Sequence, residues 1–129
     1  NWLYKNVLYS LISKKYTRIS ILGLSYKANT NSIKNSPSIE LIKKLKQTNV
    51  KVYDPVVKNI KIKNVIECSS VYKTIESSQI LVIATPWPEF STLNLKKVKS
   101  IMTGIIIIDP FQLLDKNRVE KLGFKYYFL

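Results

Sequence analysis

The sequence predicts an α/β protein: a three-layer α/β/α, Rossmann-like domain with a mainly parallel sheet of five or six strands. Three observations carry that class. Short β-branched runs alternate with helical patterns along almost the whole chain, and such alternation selects strand-helix-strand crossovers. Two of the runs, Ile80-Leu81-Val82-Ile83-Ala84-Thr85 and Ile105-Ile106-Ile107-Ile108-Asp109, are apolar at nearly every position, as strands covered on both faces are. The chain has 129 residues. That length suffices for one core, with roughly two-thirds of the unfolded surface buried.

Taken in order, Trp2, Leu3, Val7, Leu8, Leu11 and Ile12 recur at helical spacing, so residues 2–14 are expected as an amphipathic helix ending at Lys14 and Lys15. Arg18 to Gly23 reads as a short buried strand stopped by a glycine. Ser36 is then the expected N-cap and Pro37 the first residue of a helix running to about Lys46, with Ile39, Leu41, Ile42 and Leu45 as its buried face. Val50 to Tyr53 alternates as a strand closed by Asp54-Pro55. A short strand is expected around Ile62 to Ile66, a helix over 70–78 and the apolar strand over 80–85. Pro86-Trp87-Pro88 then breaks the chain. A helical pattern resumes over Leu93 to Met102, followed by the isoleucine strand, a helix or turn over 111–121 and a last strand from Phe124 to Leu129. We divide the chain into residues 1–16, a helix leading in, and 17–129, the domain itself. Asn1 in place of a methionine and the apolar ending Tyr126-Tyr127-Phe128-Leu129 lead us to expect a longer parent protein.

Composition excludes several chemistries. There is no histidine and one cysteine, so Ser-His-Asp triads, Cys-His pairs, His-ligated zinc, thiolate clusters and internal disulfides are all out of reach. Cys68 fits a reducing compartment. No apolar run approaches the ~18 residues of a bilayer span and no signal-peptide pattern opens the chain, so we expect a cytoplasmic protein without a membrane partner. The net charge of +13 arises from 21 basic and 8 acidic residues. Nineteen of the basic residues are Lys, alongside 17 Ile and 10 Asn, a trio that an AT-rich coding bias also produces. Nucleic-acid surfaces use clustered Arg with interleaved aromatics, because guanidinium both forks onto phosphate and stacks on bases. The lysines here are spread out, which weighs against nucleic acid as the partner.

In an open parallel sheet the ligand sits outside the carboxyl ends of the strands. The loop after the first strand, Leu24 to Pro37, lacks the three closely spaced glycines of a dinucleotide fingerprint; only Gly23 is present. It offers instead Lys27 and Lys34, several hydroxyl and amide side chains, and a capped helix start, an arrangement suited to phosphate. The alternative is that both lysines are merely solvated. Trp87 lies at the same edge and reads as a rigid plug over the core, with ligand contact as the alternative. Asp109 has no partner carboxylate or histidine in the sequence and reads as a cap for the following turn.

These residues resemble a known family. Leu22-Gly23-Leu24-Ser25-Tyr26-Lys27 with Thr30, Lys34 and Ser36-Pro37-Ser38-Ile39-Glu40-Leu41 is similar to the opening of the C-terminal domain of the UDP-glucose/GDP-mannose dehydrogenase family. Val52-Tyr53-Asp54-Pro55, Val82 to Phe90, Ile107-Ile108-Asp109 and Leu122-Gly123-Phe124 follow in the family's order. The resemblance covers nearly all of the chain from Arg18 onward. It implies the nucleotide-sugar-binding domain of an enzyme that oxidises a sugar C6 alcohol to a carboxylate in two NAD-dependent steps, for polysaccharide biosynthesis. It further implies that NAD and the catalytic cysteine belong to an N-terminal domain outside this chain, and that the whole enzyme is a homodimer. Cys68 matches no family nucleophile, and no residue of this chain is assigned as catalytic. By position, Tyr26 stands where the family usually has Phe, Lys27 is implied as the contact to the nucleotide moiety, and Lys34 replaces an arginine that reaches NAD on the neighbouring domain. The chain departs from the pattern at Asn31, Ser32 and Asn35, which are commonly acidic, and at Phe111, where some members have a substrate-binding Arg. A non-catalytic or degenerate nucleotide-binding module of the same fold is the alternative reading. A basic nucleic-acid-binding protein is the more distant one.

Overall fold

A computed structural model describes residues 2–14, 16–45 and 49–129, with the side chains of 8 and 11–14 outside that description. Helix α1 spans Trp2–Lys14, strand β1 Arg18–Leu22, α2 Pro37–Lys44, β2 Asn49–Tyr53, β3 Val65–Glu67 and α3 Val71–Ile75. Strand β4 spans Ile80–Ile83, a 3-10 turn Pro88–Thr92, α4 Leu95–Ile101, β5 Ile106–Ile108, α5 Lys116–Lys121 and β6 Lys125–Tyr127. Six strands form one sheet in the order β3-β2-β1-β4-β5-β6, and all five pairings are parallel. Ile19 of β1 stands opposite Val50 on one side and Ile80 on the other, so one register runs through the centre of the sheet.

Each face of the sheet buries its own core. Ile19, Ile21, Val50, Val52, Ile80, Val82, Ile106 and Ile108 point to one face, where Leu41 and Ile42 of α2 and Leu3 and Val7 of α1 cover them. Leu22, Leu81, Ile83 and Ile107 point to the other, beneath Ile75, Phe90, Val98 and Val119. The isoleucine-rich runs have no polar alternation because neither side of the central strands meets water. Burying each such side chain stabilises by roughly 1.5–3 kcal/mol relative to leaving it exposed. The predicted apolar face of α1 is met at Leu3 and Val7, which are buried; Leu8, Leu11 and Ile12 lie outside the described side chains.

Element boundaries differ from the sequence reading at identifiable turns. Strand β3 starts at Val65 rather than Ile62 because Asn64 takes a left-handed turn, φ 67°. Helix α3 stops at Ile75 rather than 78, and Ser77 at φ 63° closes it. Helix α4 starts two residues late because the Asn94 side chain accepts the Lys97 N–H at 3.1 Å. Asp115 caps α5 in the same way, so residues 111–114 precede the helix as irregular chain with a turn at 111. The predicted end of α2 at Lys46 falls outside the described residues; the helix is seen to Lys44.

Candidate functional site

The winding of the sheet reverses between β1 and β4: the chain passes from β1 outward to β2 and β3, and from β4 outward to β5 and β6. Ligand crevices of open α/β sheets form at that point, beyond the carboxyl ends of the strands. The walls are therefore the loops 23–36 and 84–87, flanked by 54–57 after β2 and 109–114 after β5.

Gly23 sets how closely the two central loops approach. It adopts φ +102°, and a Cβ placed on it would lie 2.5 Å from the Thr85 side chain and 2.7 Å from the Thr85 backbone N. Its N–H donates to the Tyr53 carbonyl at 2.7 Å. The glycine thus lets the β1 loop pack against β4. The space in front of it is filled by protein.

Asp54, at the end of β2, ties the neighbouring loops together. Its Oδ2 accepts from the N–H groups of Leu24 at 2.7 Å and Ser25 at 3.1 Å and from the Trp87 indole Nε1 at 3.2 Å. Its Oδ1 accepts from the N–H groups of Val56 and Val57, both at 2.8 Å. Burial pushes this carboxyl upward, but the combined backbone N–H bonds from Leu24, Val57, Val56 and Ser25 outweigh it and hold the pKa below the ordinary carboxylate range. Trp87 is buried, as the plug reading expects, and its one polar atom is satisfied by Asp54.

The remaining bonds of the β1 loop anchor its base and leave its crest outside. The Thr85 hydroxyl donates to the Ser25 carbonyl at 2.9 Å, and the Ser25 hydroxyl to the Lys27 carbonyl at 2.8 Å. The Tyr26 N–H closes the loop on the Ser32 carbonyl at 2.7 Å. Tyr26 is 54% exposed, so its ring does not seal the end of the sheet. Lys27 is exposed beside it, while exposed Lys34 lies further round, past the closing bond to Ser32. Ser36 caps α2 as expected, but from the inside: it is buried, receives the Ile39 N–H at 3.4 Å and donates to the Leu24 carbonyl at 2.7 Å. The loop's outward side chains, rather than the capped helix start, are therefore what this edge presents to solvent.

On the β5 side, Asp109 does cap the following turn, accepting the Leu114 N–H at 3.0 Å. The same Oδ2 accepts the Tyr126 hydroxyl at 2.6 Å, a partner the sequence reading missed. Burial, then the bond to Asp109 and its charge, push the Tyr126 hydroxyl far above the usual phenol range. Burial and Glu89 raise Tyr53 in the same direction. Phe111 is 48% exposed at this edge. Cys68 is half-buried and free, with its N–H on the Val52 carbonyl at 2.9 Å. Among the described residues no three of His, Cys, Asp and Glu gather into a metal site. Among the described residues no helix is long and apolar enough to cross a membrane.

Comparison with known proteins converges on this architecture. Residues 20–116 match the family model described as "UDP-glucose/GDP-mannose dehydrogenase family, UDP binding domain". The chain is 40% identical over 120 residues to a UDP-glucose 6-dehydrogenase of Rickettsia typhi, covering 88% of this chain and 28% of that protein. It is 33% identical over 121 residues to a UDP-glucose 6-dehydrogenase of Bacillus subtilis, covering 89% of this chain and 26% of that one. Among solved structures, a UDP-D-ManNAc dehydrogenase of Pyrococcus horikoshii superposes with a TM-score of 0.76 at 27% identity, over 97% of this chain and 29% of the other. An NDP-N-acetyl-D-galactosaminuronic acid dehydrogenase of Methanosarcina mazei reaches a TM-score of 0.84 at 19% identity over 98% of this chain and 28% of its own, a likeness of fold. The chain thus spans little more than a quarter of the curated relatives it matches.

Proposed function

The chain belongs to the UDP-glucose/GDP-mannose dehydrogenase family as its UDP-binding domain, and from that premise we propose that it is the substrate-binding part of an NAD-dependent nucleotide-sugar 6-dehydrogenase, oxidising a sugar C6 alcohol to a carboxylate for polysaccharide biosynthesis. The observation that carries this reading is the anchored loop at the switch point, which turns Tyr26 and Lys27 outward over a base fixed at Leu24 and Ser25. In this reading the Lys27 ammonium offsets the diphosphate charge of the nucleotide, and the Tyr26 ring packs on its sugar or base. Both act by binding and orienting the substrate. Neither moves a proton or an electron.

The residues present do not form an NAD site. The loop has a single glycine, and its open side is occupied by Thr85 rather than being free for a pyrophosphate. We assign the site for NAD, which would supply the hydride-transfer chemistry, to a preceding domain, toward which Lys34 would contribute one cation. The parent enzyme is proposed to be a cytoplasmic homodimer.

Calorimetric titration with UDP, UDP-glucose, UDP-N-acetyl sugars and GDP-mannose tests the reading. One nucleotide class should bind, and Lys27→Ala should weaken it by roughly tenfold, the scale of one charge-assisted hydrogen bond. A Lys27→Ala variant that binds as well as the parent chain would remove Lys27 from the site. The isolated chain should show no dehydrogenase turnover, and measurable NADH production by it would overturn the division of labour between domains.

A further inference from the structure

We propose that Asp54 is the positioning residue of the nucleotide site: its carboxylate locks the loops after β1, β2 and β4 to one another, so that Tyr26 and Lys27 are held in binding position only while that lock is closed. The proposal rests on the reading of Tyr26 and Lys27 given above, but its geometry stands without it.

The two oxygens of Asp54 do different work. Oδ1 takes only the N–H groups of Val56 and Val57, two and three residues further on, a local turn that any aspartate or asparagine after a strand can make. Oδ2 is committed to other loops, taking Leu24 and Ser25 from 30 and 29 residues away and the Trp87 indole from 33. The Ser25 hydroxyl also lies 3.4 Å from Oδ2, but its single proton goes to the nearer Lys27 carbonyl at 2.8 Å. A chain of contacts therefore runs from Trp87 through Asp54 to Ser25 and on to the backbone of Lys27. A carboxylate offers about four lone-pair directions and no proton, which suits these donors. The amide of an asparagine can keep one oxygen toward one group of donors only, and its NH2 would face the others.

That asymmetry defines the test on the 129-residue chain. Asp54→Asn turns an NH2 toward one of the two groups of donors; set with its carbonyl at the Oδ1 position, it keeps the local turn and opens the Oδ2 side. Amide hydrogen exchange read by NMR without ligand should then quicken at Leu24 and Ser25 by roughly tenfold or more beyond any change at the central-strand amides of Val82 and Ile107, which report global stability. UDP affinity measured on the same samples should fall by a comparable factor. Trp87→Phe, which keeps a ring in the core and deletes one donor, should move both readouts in the same direction by less, and it carries the test if Asp54→Asn does not fold. Unchanged exchange at Leu24 and Ser25 in both variants overturns the lock. Faster exchange with unchanged UDP affinity also overturns the proposal, because Asp54 would then be structural only. Failure of the unmodified chain to bind UDP or any other nucleotide strikes the functional reading instead, and the ligand-free exchange rates decide the lock on their own.

Discussion

Two aspartates end parallel strands of this sheet, Asp54 after β2 and Asp109 after β5, and both are buried, at 1% and 0% exposure. Asp54 has partners on both oxygens and reaches across three strand ends. Asp109 uses one oxygen, for Leu114 and Tyr126, while its Oδ1 is buried with no hydrogen-bond partner among the described residues. Residue type and burial are therefore the same, but the consequences differ. At the switch point the carboxylate joins three loops through one group, adding to the separate Thr85–Ser25 and Gly23–Tyr53 bonds between them. On the β5 side it holds one turn and one ring. Burial of an acid says little about its role until its donors have been traced.

The largest effect that tests this contrast is Asp54→Ala. It strands four backbone N–H groups and an indole, and breaking a buried charged network of this kind is expected to destabilise by about 3–5 kcal/mol in urea unfolding. Asp54→Asn should fall short of that. The acid limb adds a second readout. The folded pKa of Asp54 is lowered, because its backbone N–H bonds outweigh the burial that raises it, so its contribution is complete above the unfolded value of 3.8 and is lost as pH falls through the folded value. Unfolding curves should thus lose stability below about pH 4 in the parent chain, with that slope flattened in Asp54→Asn. An unflattened slope would place the acid sensitivity elsewhere.

Glycines at the two sides sharpen the same comparison. Gly23→Ala combines a left-handed φ with a Cβ 2.5 Å from the Thr85 side chain, and Thr85→Ala cannot rescue it because the Thr85 N is itself only 2.7 Å away. A loss of about 3 kcal/mol or more is expected. Gly123→Ala meets only the tip of Lys99, at 3.3 Å, which can swing aside. Its cost is the backbone conformation alone, about 1–2 kcal/mol. Equal losses at the two positions would mean that the β1–β4 seam is no tighter than the β5–β6 side.

The architecture was legible because the apolar runs at 80–83 and 106–108 leave no polar face, and Ser36-Pro37 marks a helix start by its own chemistry. What was not legible was decided by left-handed turns at residues other than glycine. Ser77 carries no local signal of a positive φ, and Asn64 only the general tolerance of asparagine for it, so the bounds of β3 and α3 shifted. The outward position of Tyr26 and Lys27 follows from a loop pinned at its base, and that pinning is non-local. Asp54 appeared in the sequence as the end of a strand and within the family-like block Val52-Tyr53-Asp54-Pro55, with no role assigned, since its donors stand 30 and 33 residues away. Tyr126 stands 17 residues from Asp109 in an aromatic stretch that reads as ordinary core.

Tyr126→Phe tests the weaker side. It keeps the ring and removes one donor to Asp109, for an expected loss of about 1–2 kcal/mol. The folded pKa of Tyr126 is raised, so the stability tied to its neutral hydroxyl is whole below the unfolded value of 10.0 and is lost as pH rises above it. Tyr53 is raised as well, so the alkaline slope should shrink in Tyr126→Phe without vanishing.

Asp109→Asn should give the smallest effect, although Asp109 is as deeply buried as Asp54. An asparagine can place its carbonyl at the Oδ2 position and keep both the Leu114 N–H and the Tyr126 hydroxyl. Its NH2 then takes the place of an oxygen that had no partner among the described residues, so one unpaired polar atom replaces another. Removing a buried charge while retaining its hydrogen bonds is close to neutral, and the expected change is under about 1 kcal/mol. At Asp54 the same substitution turns an NH2 toward donors, whichever way the amide is set, and cannot be neutral. The difference between the two Asp→Asn variants in urea unfolding therefore isolates what hydrogen-bond reach adds to burial. Equal losses would dissolve the contrast between the two sides.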